Sequence, residues 1–233
     1  MKVAIMQPYI FPYIGYFQLI HAVDTFVFYD DVNFIKRGWI NRNKLLINGK
    51  EGMFSMPLKS ASQNDLIKDT QLAIDGIWLR TFYSTIEHNY SKAPHYSSVY
   101  GLIKTVLERE HRTIGELAMC SVEMISDYIG LKTKFEISSV DYHKNNVKRG
   151  IDRLLAICHE AKATVYINPI GGQSLYSKKE FKNADLQLYF IQPDEIRYKQ
   201  FGNEFVPWLS ILDVVMFNSV DEVKQLLKDY TLL

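Results

Sequence analysis

Short, unbroken apolar runs alternate with helically spaced ones along much of this chain, and that alternation predicts an α/β fold. Residues 3–6 are continuously apolar up to Gln7-Pro8, as expected of a strand buried on both faces. Over residues 16–23 the spacing becomes helical, with Phe17, Ile20 and Val23 on one face, and residues 26–29 are continuous again. Strand, helix and strand within about thirty residues make the parallel βαβ unit. Leu45-Leu46-Ile47, then Asn48-Gly49, then the apolar positions of residues 53–58 predict a β-hairpin, because Asn-Gly tolerates positive φ. The apolar stretches lie far enough apart that a loop longer than two residues is expected.

From residue 77 to 129 the pattern is helical, in three segments. Trp78, Phe82 and Ile86 share the first face, Val99, Leu102, Ile103 and Val106 the second, and Ile114, Leu117, Ala118, Val122 and Ile125 the third. Ala93-Pro94 separates the first two, and Thr113 with Glu116 can cap the third. Residues 75–131 are therefore expected to be a helical insertion or cap. Beyond Gly130, strands are predicted at 135–140, 164–168 and 186–191, with a helix at 148–160. Pro207 is placed to open a helix over 208–217, and 221–230 reads as an amphipathic tail helix. With no repeat and no low-complexity linker, the expectation is a single α/β domain over residues 1–233. Its architecture is Rossmann-like: a mostly parallel sheet flanked by helices, with a β-hairpin and the helical insertion.

Composition narrows the function. The 27 Lys+Arg and 26 Asp+Glu nearly cancel, at +1, which argues against bulk nucleic-acid binding. No apolar run approaches the roughly 20 residues of a membrane span, and the first residues are too short an apolar segment for a signal peptide. Cys120 and Cys158 are far apart with no C-x-x-C, which speaks against a disulfide scaffold or a thiolate zinc site. The expectation is a cytoplasmic chain without a membrane span. Aromatic residues are abundant, with 15 Tyr among them, suggesting stacking or hydroxyl contacts at a site, or a bulky core.

Ligands of parallel α/β sheets bind beyond the carboxyl ends of the strands. Four loops fall there, at residues 7–15, 30–42, 141–150 and 168–176. In the first, Gln7, Tyr13, Gly15 and Tyr16 run into a helix start, where backbone amides and the helix dipole favour phosphate. This strand–loop–helix junction is similar to that of nucleotidylyltransferases, but Tyr13 and Tyr16 stand where those enzymes carry two His. Neutral tyrosines cannot supply an imidazolium charge. The second loop mixes Asp30 and Asp31, candidates for a general base, with Lys36, Arg37 and Arg42 for phosphate, Trp39 for stacking and Asn41 for a hydroxyl. The third offers His143 as an acid or base and Lys148 and Arg149 as phosphate contacts. The fourth offers Gly171, Gly172 and Tyr176. The histidines give no H-x-x-x-H metal pair, no thiolate cluster exists, and neither a Walker loop nor a dinucleotide fingerprint occurs, so no metal or cofactor is assigned.

The opening Lys2-Val3-Ala4-Ile5-Met6-Gln7-Pro8, Phe11-Pro12-Tyr13-Ile14-Gly15-Tyr16-Phe17, Tyr29-Asp30-Asp31-Val32 and Gly38-Trp39-Ile40-Asn41-Arg42 closely resemble the WbqC-like family of bacteria. Gly171-Gly172 with Tyr176, and Pro207-Trp208-Leu209-Ser210-Ile211-Leu212-Asp213, agree, and the resemblance spans essentially the whole chain. Members are encoded with O-antigen and other surface-polysaccharide genes, so the resemblance implies a role in making or modifying an activated sugar. It also implies aminoacyl transfer, such as glycylation of an amino sugar, as one activity. The leading expectation is thus an acyl or aminoacyl transferase acting on a nucleotide-linked amino sugar, with the acyl donor unassigned. One alternative is a nucleotidylyltransferase-like enzyme that activates a small acid or sugar phosphate. Another is a non-catalytic partner in polysaccharide assembly.

Overall fold

The computed structural model describes residues 1–202 and 204–233. Its centre is a six-stranded sheet made of β1 (Lys2–Met6), β2 (Thr25–Phe28), β5 (Lys134–Ile137), β6 (Val165–Pro169), β7 (Gln187–Pro193) and β8 (Tyr230–Leu232). The spatial order is β5-β2-β1-β6-β7-β8; all are parallel except β8, which pairs antiparallel with β7. A separate antiparallel hairpin joins β3 (Arg42–Ile47) to β4 (Lys50–Ser55).

The continuous apolar strands are buried on both faces. In β1, Ala4 points into one core while Val3 and Ile5 point into the other; in β2, Phe26 and Phe28 oppose Val27 in the same way. The first core is filled by α1 (Ile14–His21), the hairpin, α2 (Gly76–Tyr90), α3 (Tyr96–Glu108), α4 (Ile114–Ile129), α8 (Ile211–Phe217) and α9 (Val220–Leu226). The second is thinner, with Leu154, Ile157 and Cys158 of α6 (Gly150–Glu160) and Phe181 of α7 (Lys178–Asn183) against the sheet.

The strand order sets the position of the site. Chain entering from β1 moves outward to β2 and then β5, whereas β6 returns to the other side of β1. The carboxyl ends of β1 and β6 therefore form a topological switch point, where loops diverge and leave a crevice.

Local signals account for most of the elements. The three predicted helices of the insertion form, and the Thr113–Glu116 capping box opens α4, which ends at Gly130 with φ +83°. Several boundaries differ from expectation. The hairpin turn is tight, two residues long, with Asn48 at φ +51° and Gly49 at φ +74°, as a type I′ turn needs. Strand β5 ends at Ile137 because Ser138 starts the short helix α5 (Ser138–Asp141). The last packed helix begins at Ile211 rather than at Pro207, since Trp208 takes φ +60° and Ser210 supplies the cap by accepting from Leu212 N. The tail helix stops at Leu226, and the chain finishes as β8. Among the described residues, no helix is long and apolar enough to cross a membrane.

Candidate functional site

Two cavities meet at the carboxyl edge of the sheet and share Tyr29 and Val32 in their walls. One, of about 440 Å³, occupies the switch point between Gln7 and Tyr9 on one side and Asn168, Gly171, Gly172 and Tyr176 on the other. The second, of about 520 Å³, lies toward β5 and is lined by Asp31, Lys68, His143, Lys148, Arg149 and Arg153. Together they make a groove with a neutral, hydroxyl- and amide-rich end and a cationic end. A larger concavity of about 770 Å³ sits at the opposite edge, between α9 and residues 130–133, and contains none of the candidate loop residues.

At the neutral end the walls are built to fixed shape. Gln7 carbonyl accepts from the buried Tyr16 hydroxyl at 2.9 Å, pinning the end of β1 to α1. Asn168 accepts from Tyr166 Oη at 3.0 Å through Oδ1 and donates to Pro169 carbonyl through Nδ2 at 3.1 Å. At Gly172 an added Cβ would lie 1.8 Å from Asn168 Nδ2, so a larger residue would displace that amide. Burial raises the pKa of Tyr9, Tyr29 and Tyr176, and the nearby Asp31 charge raises Tyr29 further. These hydroxyls stay protonated at neutral pH and serve as hydrogen-bond donors rather than bases.

At the cationic end, Asp31 is bound to Arg153 at 2.8 Å, with side-chain exposures of only 9% and 2%. Arg153 also donates to Tyr142 carbonyl at 2.7 Å and Ser138 carbonyl at 3.3 Å, so its charge and its fork are both engaged. Lys148 and Arg149 make no ion pair among the described residues, whereas Lys68 has Asp69 beside it at 3.0 Å. The His143 ring meets Val140 carbonyl through Nδ1 at 2.9 Å. A carbonyl only accepts, so Nδ1 carries the proton and Nε2 carries the lone pair in neutral imidazole.

Asp30 lies under the groove rather than in it. Its carboxylate accepts from Ser138 Oγ at 3.0 Å, Ser139 N at 3.0 Å and Ser139 Oγ at 2.6 Å. Burial raises its pKa while those hydrogen bonds oppose the shift. The arrangement fastens α5 to the end of β2.

The structure divides the sequence-derived set. Gln7, Gly171, Gly172 and Tyr176 share the neutral end, and Asp31 and His143 the cationic end. The helix start at Gly15 is not open to a ligand as expected, because the Tyr13 ring folds over it. A Cβ on Gly15 would lie 2.3 Å from that ring. Tyr16 is wholly inside the core. Lys36, Arg37, Trp39, Asn41 and Arg42 line neither cavity, contrary to their expected place beside Asp30 and Asp31. After Val32 the chain is carried off toward the hairpin: Asn41 Nδ2 donates to Met56 carbonyl at 3.0 Å, and Arg42 Nε to Gly38 carbonyl at 2.9 Å. Arg42 and Lys44 then stand over the Trp39 ring at 5.6 and 5.9 Å. Lys36 and Arg37 remain exposed on that separate surface.

Two charged groove residues carried no sequence signal. Lys68 arrives on a short helical turn tied by Lys68 N to Asp30 carbonyl at 3.0 Å, and Arg153 is a lone cation beside an apolar helical stripe. Among the described residues, no three His, Cys, Asp or Glu side chains converge as a metal site would require.

The WbqC-like protein family pattern matches residues 7–225, from the first groove loop to the last helix. The chain belongs to the WbqC-like family. It is similar to a Mycobacterium tuberculosis protein, named as the uncharacterized protein Rv1507c, at 32% identity over 221 residues, covering 93% of each chain. No solved structure is significantly similar. The Gln7, Asp31, His143 and Gly171-Gly172 positions of the groove all fall inside the WbqC-like match.

Proposed function

We propose that this WbqC-like protein is a transferase of surface-polysaccharide synthesis that moves an acyl or aminoacyl group onto the amine of a nucleotide-linked amino sugar. The observation that carries the reading is the two-ended groove at the switch point. Lys148 and Arg149, free of ion pairs among the described residues, suit a diphosphate. The tyrosine, glutamine and asparagine groups at the other end suit the hydroxyls of a sugar or the edges of a base.

The transfer needs an uncharged amine and a place for its proton. The amine lone pair attacks the carbonyl carbon of an activated ester or thioester donor. A C–N bond forms, the proton released from nitrogen passes to His143 Nε2 and on to the departing oxygen or sulfur, and the C–O or C–S bond breaks to release the alcohol or thiol. The two carboxylates expected for this role are committed elsewhere, Asp31 to Arg153 and Asp30 to Ser138 and Ser139. Asp31 and Arg153 act here by holding the wall that carries His143.

Titration calorimetry with UDP- and dTDP-linked amino sugars tests the reading. Binding is expected, with the double variant Lys148→Ala/Arg149→Ala weaker by about tenfold or more. Lys36→Ala/Arg37→Ala should bind like the parent. His143→Ala should keep binding and lose about 100-fold or more in transfer rate with an ester or thioester donor. Absence of binding to every nucleotide sugar, or indifference to the Lys148/Arg149 change, sinks the proposal.

A further inference from the structure

Away from the groove, another cavity, of about 200 Å³, opens between the start of α1 and the segment that follows β7. Tyr13, Tyr198, Phe205 and Trp208 line it. Tyr13 and Trp208 have ring centroids 6.0 Å apart at 52°, and Tyr198 and Phe205 meet edge-on at 5.1 Å and 80°. Inclined pairs at these separations are favourable edge-to-face contacts, and all four rings border the cavity.

Trp208 sharpens the point. It is 68% exposed, so its indole adds little to the core, yet its backbone is held at φ +60°. For a bulky residue that conformation costs on the order of 1–3 kcal/mol. Such strain, without burial to offset it, is characteristic of ligand clamps.

Charge selects the ligand. Asp194 and Glu195 also border the cavity, which disfavours an anion. Glu195 is taken by Arg197 at 2.6 Å, whereas Asp194 makes no ion pair among the described residues. A carboxylate beside several aromatic rings matches a cation with an apolar body, attracted both by the ring quadrupoles and by the full charge. The geometry points to a binding site for an organic ammonium ion, enclosed by Tyr13, Tyr198, Phe205 and Trp208 with Asp194 as counter-charge. This site does not depend on the transferase reading, and either can fail alone.

Choline and its uncharged carbon isostere 3,3-dimethylbutanol are the probes. The full chain is labelled with 5-fluorotryptophan, giving one fluorine signal for each of the three tryptophans, and Trp208→Phe identifies its own by loss. Choline is expected to shift the Trp208 signal saturably while those of Trp39 and Trp78 stay in place. The isostere should bind about tenfold more weakly, and Asp194→Asn, with unchanged circular dichroism, should weaken choline several-fold. Equal affinity for the two compounds, no saturable shift, or unchanged choline affinity in Asp194→Asn overturns the assignment.

Discussion

Asp213 is a wholly buried carboxylate that ties four parts of the molecule together. It accepts from Tyr90 Oη at 2.8 Å, Tyr198 Oη at 2.6 Å and Gln200 Nε2 at 2.7 Å, and Tyr90 Oη accepts in turn from Leu46 N at 2.7 Å. Helices α8 and α2, strand β3 and the segment after β7 are thereby joined through one side chain. Burial raises the Asp213 pKa above its ordinary 3.8, against the pull of its three hydrogen bonds. A carboxyl whose folded value is raised contributes most below its unfolded value and loses that contribution as pH climbs through the folded one. The melting-temperature advantage of the parent over Asp213→Asn should accordingly shrink over the range above about pH 4, as calorimetric melting would show. An advantage that grows over that range contradicts the assigned sign. Sequence reading placed Asp213 in a family landmark but gave it no role, because its partners lie up to 123 residues away.

At the scale of elements, ends matter more than interiors. Helix α4 carries a capping box at Thr113 and a left-handed glycine at Gly130, whose N–H reaches back to Ser126 carbonyl at 2.9 Å. An L side chain at φ +83° is strained, so Gly130→Ala should cost about 1–2 kcal/mol in urea unfolding, with unchanged secondary structure. A neutral or stabilising result would mean that the backbone there relaxes freely. Helix α1 illustrates the opposite case. Its buried Gln18 donates to Leu226 and Asp229 carbonyls, both at 2.9 Å, and so closes the end of α9 more than 200 residues later. Capping boxes and apolar stripes are local patterns, which is why α2, α3 and α4 were legible. The α8 start was not, because proline favours a helix start only where the following residues can turn helical, and Trp208 turns the other way.

Across the whole molecule, the helices over residues 75–131 do not form a core of their own. Phe82, Ile103 and Leu117 belong to the same buried cluster as Phe17, Phe26 and Ile167 of α1 and the sheet. We therefore propose that residues 1–233 unfold as one unit. Urea curves followed by tryptophan fluorescence, from Trp39, Trp78 and Trp208, should coincide with those followed by far-ultraviolet circular dichroism. Two separated transitions would show that the helical layer is an independent domain. The groove is a property of this same scale, since its walls come from the ends of β1, β2 and β6, from α5 and α6, and from a turn beyond the hairpin.

By itself the sequence determined the apolar strands, the βαβ opening, the three-helix layer, the hairpin and the loops that end at the sheet's carboxyl edge. Each follows from spacing or turn chemistry acting over a few residues. Only the tertiary structure decided which loop residues face one another. Residues 30–42 read as one polar cluster, yet Asp31 turns into a buried pair with Arg153 while Arg37 and Arg42 leave with the hairpin. Gly15 read as an open phosphate seat, yet the Tyr13 ring occupies it. Proximity along a chain constrains where a backbone begins a loop; the direction in which each side chain then points depends on hydrogen bonds and packing supplied by residues a hundred or more positions away.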